Sequence, residues 1–379
     1  QRSETLSRAI SDDRLDSLVR REVRDADGNV VSRTLERRHQ YAWGEALLEH
    51  SVDTGAGLLT TRYEHYTDAN DAGRYTRLRA EIDPDGDWRL RDYDALGRST
   101  YDVRPFKDLD WDTVKSLTPA AAAALGRATV YSYTPVDPAD TPLADDYRPR
   151  TTTHTVQGVA VSRTFHAYVA APDGGRVEIA EQAATPTAAY GDSGNLRTVE
   201  SFYPAGEASV PSAGRLRSIA YPDGRLDTWT WEYGTWTADE EEPGDSTFTP
   251  GEGPALRQTV THGTVASPDG LANRTTREVT VGDAEGNVVF EETQVFTGTA
   301  YERLAWTLNL YDDQGRVTDT FRSDGTHAET EWACCGKSAE TLPDGTAFTY
   351  AYDDLQRLEY RVRLGYAGQP DLVTHYTYD

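Results

Sequence analysis

Aromatic and polar residues alternate one by one along several short stretches of this chain. Phe348, Tyr350 and Tyr352 are separated by Thr349 and Ala351, and Trp229, Trp231 and Tyr233 by Thr230 and Glu232. A period of two belongs to a strand with one aromatic face, since a helix brings together residues three or four apart. Between such stretches stand reversal signals: Pro84-Asp85-Gly86, Pro222-Asp223-Gly224, Ser323-Asp324-Gly325-Thr326 and Pro343-Asp344-Gly345-Thr346. In all four, seven residues separate the glycine from the next aromatic marker, which is Tyr93, Trp231, Trp332 and Tyr352 in turn. Asp-Gly between alternating residues predicts a tight hairpin with a primed turn, because glycine accepts the positive φ such a turn demands.

A second reversal comes after the marker. Tyr93-Asp94-Ala95-Leu96-Gly97-Arg98 and Tyr311-Asp312-Asp313-Gln314-Gly315-Arg316 place Asp at the start of a turn and Gly near its end. Tyr352-Asp353-Asp354-Leu355-Gln356-Arg357 lacks the glycine, and Trp332-Ala333-Cys334-Cys335-Gly336-Lys337 keeps only the aromatic, the glycine and the base. One unit of about twenty residues therefore encodes two strands and two reversals, and its recurrence is the signature of a repeat architecture. On these residues the chain resembles the YD-repeat, or RHS-repeat, family of RHS and teneurin-type β-shell proteins. The resemblance implies an all-β fold of tandem hairpins joined into a long curled or spiralling antiparallel sheet, a shell or tube. The repeat-motif residues would be structural: Tyr93, Asp94, Gly97, Arg98, Tyr311, Asp312, Gly315, Arg316, Trp332, Gly336, Lys337, Tyr352, Asp353 and Arg357.

Elsewhere the rhythm loosens. Residues 1–24 space their apolar positions irregularly and read as an arm or an edge strand. Asp25-Ala26-Asp27-Gly28-Asn29-Val30-Val31 starts a hairpin and recurs as Asp283-Ala284-Glu285-Gly286-Asn287-Val288-Val289, without an aromatic seven residues on: a degenerate unit or another hairpin class. Residues 1–379 are read as one continuous repeat region with three insertions. In 106–126, Thr118 caps a helix with Pro119 at its first position, Ala120–Leu125 as its body and Gly126 at its end, and Asp110–Leu117 adds a preceding turn. Residues 135–149 read as an extended loop, 239–245 as an acidic surface loop, and 183–195 as a smaller loop.

Composition narrows the function classes. The 22 tyrosines and 8 tryptophans suit strands, and at 37% apolar residues with a mean hydropathy of -0.67 no stretch approaches the ~20-residue apolar run of a membrane helix. A net charge of -25 repels nucleic-acid phosphates and anionic lipid, so neither nucleic-acid binding nor membrane insertion is expected. Methionine is absent, and the last residues, Tyr376-Thr377-Tyr378-Asp379, repeat the start of a unit. Read as a strand open at one edge, they suggest completion by another copy in head-to-tail strand addition, or by flanking repeats of the same polypeptide.

Candidate chemistry is sparse. Cys334 and Cys335 are the only cysteines and fit two free thiols, a vicinal disulfide or intermolecular disulfides. The eight histidines are scattered without ligand spacing, and no nucleophile elbow, zinc-binding helix or phosphate loop occurs. No cofactor is expected. Calcium at an acidic loop is the alternative: Asp68-Ala69-Asn70-Asp71-Ala72-Gly73 starts like a calcium loop but has Ala72 and Arg79 where the fifth and twelfth positions should supply oxygen, and hairpin chemistry explains Asp83-Pro84-Asp85-Gly86-Asp87. The expected function is structural and non-enzymatic: part of an extracellular or cell-surface β-shell, tube or self-assembling filament. The alternatives are a cell-surface adhesion or carbohydrate-binding module and a fragment of a toxin-encapsulating RHS shell.

Overall fold

The computed structural model describes residues 3–11, 15–141, 146–206, 210–267, 270–365 and 368–378. They form 27 strands, two short α-helices and one 3-10 turn, and the strands join antiparallel neighbours in an almost all-β fold, as the alternation predicts. The chain divides into two compact units, Gln1–Val169 with Glu178–Arg197, and Ala170–Val177 with Thr198–Asp379.

In the first unit, strands pair with their sequence neighbours from Ser3–Ile10 through to Val159–Ala170. Residues 1–24, expected as an arm or an edge strand, form a hairpin: Ser3–Ile10 pairs on one side only, as an edge strand does, while Asp16–Arg24 is flanked on both sides. Apolar spacing missed it because its brace is ionic: Glu22, 7% exposed, accepts from Arg20, Arg24 and Arg33. The apolar core gathers Trp88, Leu90 and Val103 from the sheet with Trp111, Val114, Ala122 and Ala123. The last four come from the helical insertion, which is two helices, Trp111–Val114 and Pro119–Ala123, capped by Asp110 and Thr118. Thr118 and Pro119 act as expected, but the helix they start stops at Ala123. The insertion is the lid of a core, not an appendage.

In the second unit, Arg225–Thr237 pairs along its length with Ala255–Ser267, and on its other edge with Leu216–Ala220 and Thr247–Pro250. From Ala255–Ser267 the ladder passes through Thr276–Gly282, Val288–Phe296 and Tyr301–Tyr311, then continues hairpin by hairpin to Leu372–His375. Its core is Ala255, Val281, Val289, Phe290 and Leu308. No strand is assigned at Tyr376–Tyr378, although Tyr376 N–H still donates to Glu359 O; Asp379 lies outside the described residues, as do 142–145 of the second insertion.

The reversals correct one expectation. At Pro84-Asp85-Gly86, Asp83 N–H donates to Asp87 O at 2.8 Å and Gly86 N–H to Asp83 O at 3.0 Å; Gly86 has φ +91° while Asp85 is not among the positive-φ residues. This is a three-residue loop, a type I turn closed by a left-handed residue, rather than a two-residue primed turn. The YD reversal has the same backbone, with Asp94 N–H to Arg98 O and Gly97 N–H to Asp94 O, both at 2.9 Å. Only the aspartate moves: at the loop's middle it accepts one backbone N–H, as Asp85 does from Asp87, and before the loop it accepts two, as Asp94 does from Leu96 and Arg98. The hairpins at Asp25 and Asp283 belong to this second type, with Asn29 and Asn287 replacing the base that binds the carboxylate.

Where the YD glycine is missing, Gln356 takes φ +62°. A side chain there costs what glycine avoids, so Gln356→Gly should raise stability by about 0.5–1 kcal/mol in urea denaturation. No gain would mean that the side chain has contacts offsetting the backbone cost.

Candidate functional site: the junction between successive units

Each repeat arginine bridges its own turn and a later ring. Within its own turn, Arg98 Nε donates to Asp94 Oδ2 at 2.7 Å, Arg316 Nε to Asp312 Oδ2 at 2.7 Å, and Arg357 Nε to Asp353 Oδ2 at 2.8 Å. Its outer face carries the ring of a later unit: Arg98 lies 4.1 Å from the Tyr133 centroid, Arg316 5.1 Å from Trp332, and Arg357 4.5 Å from Tyr378. The ring then donates its polar hydrogen to the carbonyl of the residue after the arginine. Tyr133 Oη reaches Ser99 O at 2.8 Å, Trp332 Nε1 reaches Val317 O at 2.8 Å, and Tyr378 Oη reaches Leu358 O at 2.7 Å. Stacking and hydrogen bond together fix the ring in one pose.

The arrangement extends to positions outside the recognisable YD motifs. Arg77 stacks on Tyr93 at 5.2 Å, and Tyr93 Oη donates to Leu78 O at 3.0 Å; Arg215 stacks on Trp231 at 4.5 Å, and Trp231 Nε1 donates to Leu216 O at 3.1 Å. The usable signal is an arginine immediately before the residue 15 positions upstream of an aromatic marker, shared by Tyr93, Trp231 and Trp332. Two junctions depart from it. Tyr311 Oη donates to Val288 O at 2.8 Å, but Asn287 precedes the acceptor and holds Asp283 instead of the ring. Tyr352 Oη donates to Lys337 O at 3.0 Å, and Gly336 precedes the acceptor; a side chain there would collide with Tyr352 Oη. Gly315 and Gly97 serve the turn itself, with φ +74° and +75°. Lys337 turns to Glu340 and stands 6.0 Å from the Trp332 centroid.

Most of these rings are half-buried; Tyr378 is exposed, and Tyr311 packs against the second core. Burial raises the phenols of Tyr93, Tyr133, Tyr311 and Tyr352, keeping them neutral donors. The Arg316 guanidinium and backbone N–H lower the Asp312 carboxyl, and the Arg357 N–H and guanidinium lower that of Asp353. A carboxyl lowered by folding contributes stability that is complete above its ordinary range near pH 4 and lost as pH falls through the lower folded value. The thermal midpoint should therefore fall on acidification below about pH 4, and Asp312→Asn with Asp353→Asn should flatten that fall. An unchanged acid profile in the double variant would exclude these pairs as its source.

Cys334 and Cys335 form the tip of a two-residue loop, with both thiols free and their Sγ atoms 2.7 Å apart. In the first proposed calcium loop, Asp68 is occupied by Asn70 and Asp71 by Arg74; in the second, Asp85 caps the Asp87 N–H. Among the described residues no group of three or more His, Cys, Asp or Glu side chains is arranged to hold a metal, and no helix is long and apolar enough to cross a membrane.

No known family profile matches the chain, and no curated protein matches it. Among solved structures, TcdB2-TccC3-Cdc42 aligns over 100% of this chain and 22% of its own at 12% identity with a TM-score of 0.26. TcdB2-TccC3 aligns over 100% and 23% at 13% identity, TM-score 0.22. A porin-like protein from Bacteroides uniformis ATCC 8492 aligns over 74% and 95% at 11% identity, TM-score 0.24. The chain thus spans under a quarter of the TcdB2-TccC3 chains it is similar to, and scores this low define neither fold nor function.

Proposed function

We propose that this chain is a structural section of an extracellular YD-repeat β-shell, tube or filament, without a catalytic site of its own. The supporting observation is the repeated junction: the most specific side-chain chemistry in the molecule links one hairpin to a later one. Its partners are flanking repeats of the same polypeptide or other copies, added at strand edges. Leu6 and Ile10 on the strand Ser3–Ile10, and Leu372 and Val373 on Leu372–His375, are all more than half exposed, as side chains awaiting a neighbouring strand would be. Electron microscopy of the native polypeptide isolated from its source tests the reading. A continuous wall of hairpins is expected, and separate globular bodies on linkers would overturn it. Assemblies that lengthen with concentration would identify copies as the partner.

A second reading, carbohydrate binding at a cell surface, draws on one open groove in the second unit. Thr230, Thr259, Thr261, Arg257, Arg277 and Tyr301 line it with hydroxyls, guanidinium groups and a ring, the groups that bind sugar hydroxyls. A glycan array separates the readings: binding abolished by Arg277→Ala with the fold intact would favour adhesion.

A further inference from the structure

The turn at Cys334 and Cys335 lacks braces that two similar turns have, although Arg316 Nη1 donates to Ala333 O at 3.4 Å. Three of the two-residue tips close just outside the strand ends through one backbone bond: Thr54 N–H to Gly57 O at 3.1 Å, Thr297 N–H to Ala300 O at 2.9 Å, and Ala333 N–H to Gly336 O at 2.8 Å. In the first two, a threonine hydroxyl adds a second bond across the same gap, Thr54 Oγ1 to Gly57 O at 3.0 Å and Thr297 Oγ1 to Ala300 O at 3.1 Å. Those tips also begin with a glycine at positive φ, Gly55 at +81° and Gly298 at +98°. At the third, alanine stands where the threonine would be, and the tip residues are both cysteine. The same turn lacks the aspartate and arginine that tie the YD turns, since Ala333 replaces Asp94, Asp312 and Asp353, and Gly336 stands before the Tyr352 acceptor. Two braces are missing where two thiols meet.

We propose that Cys334 and Cys335 are a redox-responsive dithiol site that exchanges with small-molecule disulfides to close a vicinal disulfide across the tip of this turn. Cys334 is exposed and Cys335 half-buried, so the incoming disulfide RSSR meets Cys334 first. The Cys334 thiolate attacks one sulfur of RSSR, forming a Cys334–S–S–R bond and releasing RS⁻, which takes up the proton Cys334 lost. Cys335 then loses its proton to solvent and attacks Cys334 Sγ, forming the Cys334–Cys335 bond and expelling the second RS⁻, which takes a proton from solvent. Two thiols are oxidised by two electrons, and one RSSR becomes two RSH. The shared hydrogen bond with Cys334 raises the Cys335 thiol. Adjacent Cα atoms lie about 3.8 Å apart, below the usual range for bridged cysteines, so the ring is strained and readily reopened by thiols.

The test uses the whole chain with 2-hydroxyethyl disulfide as oxidant, read by intact mass and non-reducing electrophoresis. The expected product is a monomer lighter by two hydrogen atoms with no adduct retained, and Cys335→Ser should instead keep one mixed disulfide on Cys334. In amide exchange, the Ala333 N–H should slow about three- to tenfold on oxidation. Ala333→Thr, which restores the hydroxyl brace, should slow it in the reduced protein and shrink the difference between redox forms. A lasting adduct on the unmodified chain, a disulfide-linked dimer, thiols that still titrate after exposure, or exchange at Ala333 equal in both forms would each overturn the proposal.

Discussion

Arg150→Ala should destabilise the first unit by about 3–5 kcal/mol in urea denaturation, because it strands two buried carboxylates. The Arg150 side chain is 1% exposed, with Asp140 at 0% and Asp146 at 5% beside it. Its Nε donates to Asp140 Oδ2 at 2.5 Å, its Nη2 to Asp140 Oδ1 at 3.0 Å and to Asp146 Oδ2 at 2.9 Å, and its Nη1 to Arg148 O at 2.7 Å. The guanidinium also lies 4.5 Å from the Tyr168 centroid, so one side chain ties Asp140 and Asp146 of the second insertion to the strand that carries Tyr168. Arg148 and Arg150 hold the Asp146 carboxyl well below the ordinary carboxylate range. Its contribution is present above that range and fades as pH falls toward the lowered value, so the penalty of Arg150→Ala should shrink in acid. Arg150→Met combined with Asp140→Asn and Asp146→Asn should cost less than Arg150→Ala alone, since no charge is left buried without a partner. A single-variant loss below about 1 kcal/mol would place this cluster outside what holds the unit together.

Trp88→Ala should cost about 3–5 kcal/mol in the same measurement, through lost burial and the cavity it leaves. Trp88 is 1% exposed, its Nε1 donates to Leu109 O at 2.9 Å, and its ring meets Trp111 with centroids 5.8 Å apart. It is the post against which the helical insertion rests. Trp88→Phe keeps most of the ring and loses the N–H donor, so about 1 kcal/mol of the effect should remain. If Trp88→Ala unfolds with the parent's midpoint, the insertion does not share the core.

The two variants also show what sequence could and could not supply. Period-two aromatic runs and Asp-Gly signals mark the hairpins because each is a local demand, a side chain's face or a glycine's φ. Turn type was misread because a primed turn and a type I turn with a left-handed fourth residue both want Asp-Gly. Glu22, Glu181 and Arg150 escaped notice because composition assigns charged residues to the surface, while their partners here arrive from other strands and loops. The helical lid was half legible: Thr118 and Pro119 announce a start, but each helix buries only two residues, too few to show a period. The base of the YD turn was legible only as a recurring motif position, not as the partner of its aspartate. Its ring follows at one spacing for Tyr93, Trp231 and Trp332, but not for Tyr133 or Tyr378; between Arg98 and Tyr133 the whole helical insertion intervenes.

That variable distance bears on how such chains change length. Where the arginine and the ring are both present they sit at different ends of a repeat, so such a hairpin presents a socket to a later hairpin and a plug to an earlier one. Duplicating or deleting one whole period rejoins a plug to an equivalent socket, and foreign sequence can be spliced between them provided the two still meet. Growth and shrinkage by entire periods is thus the heritable change this architecture absorbs with least damage.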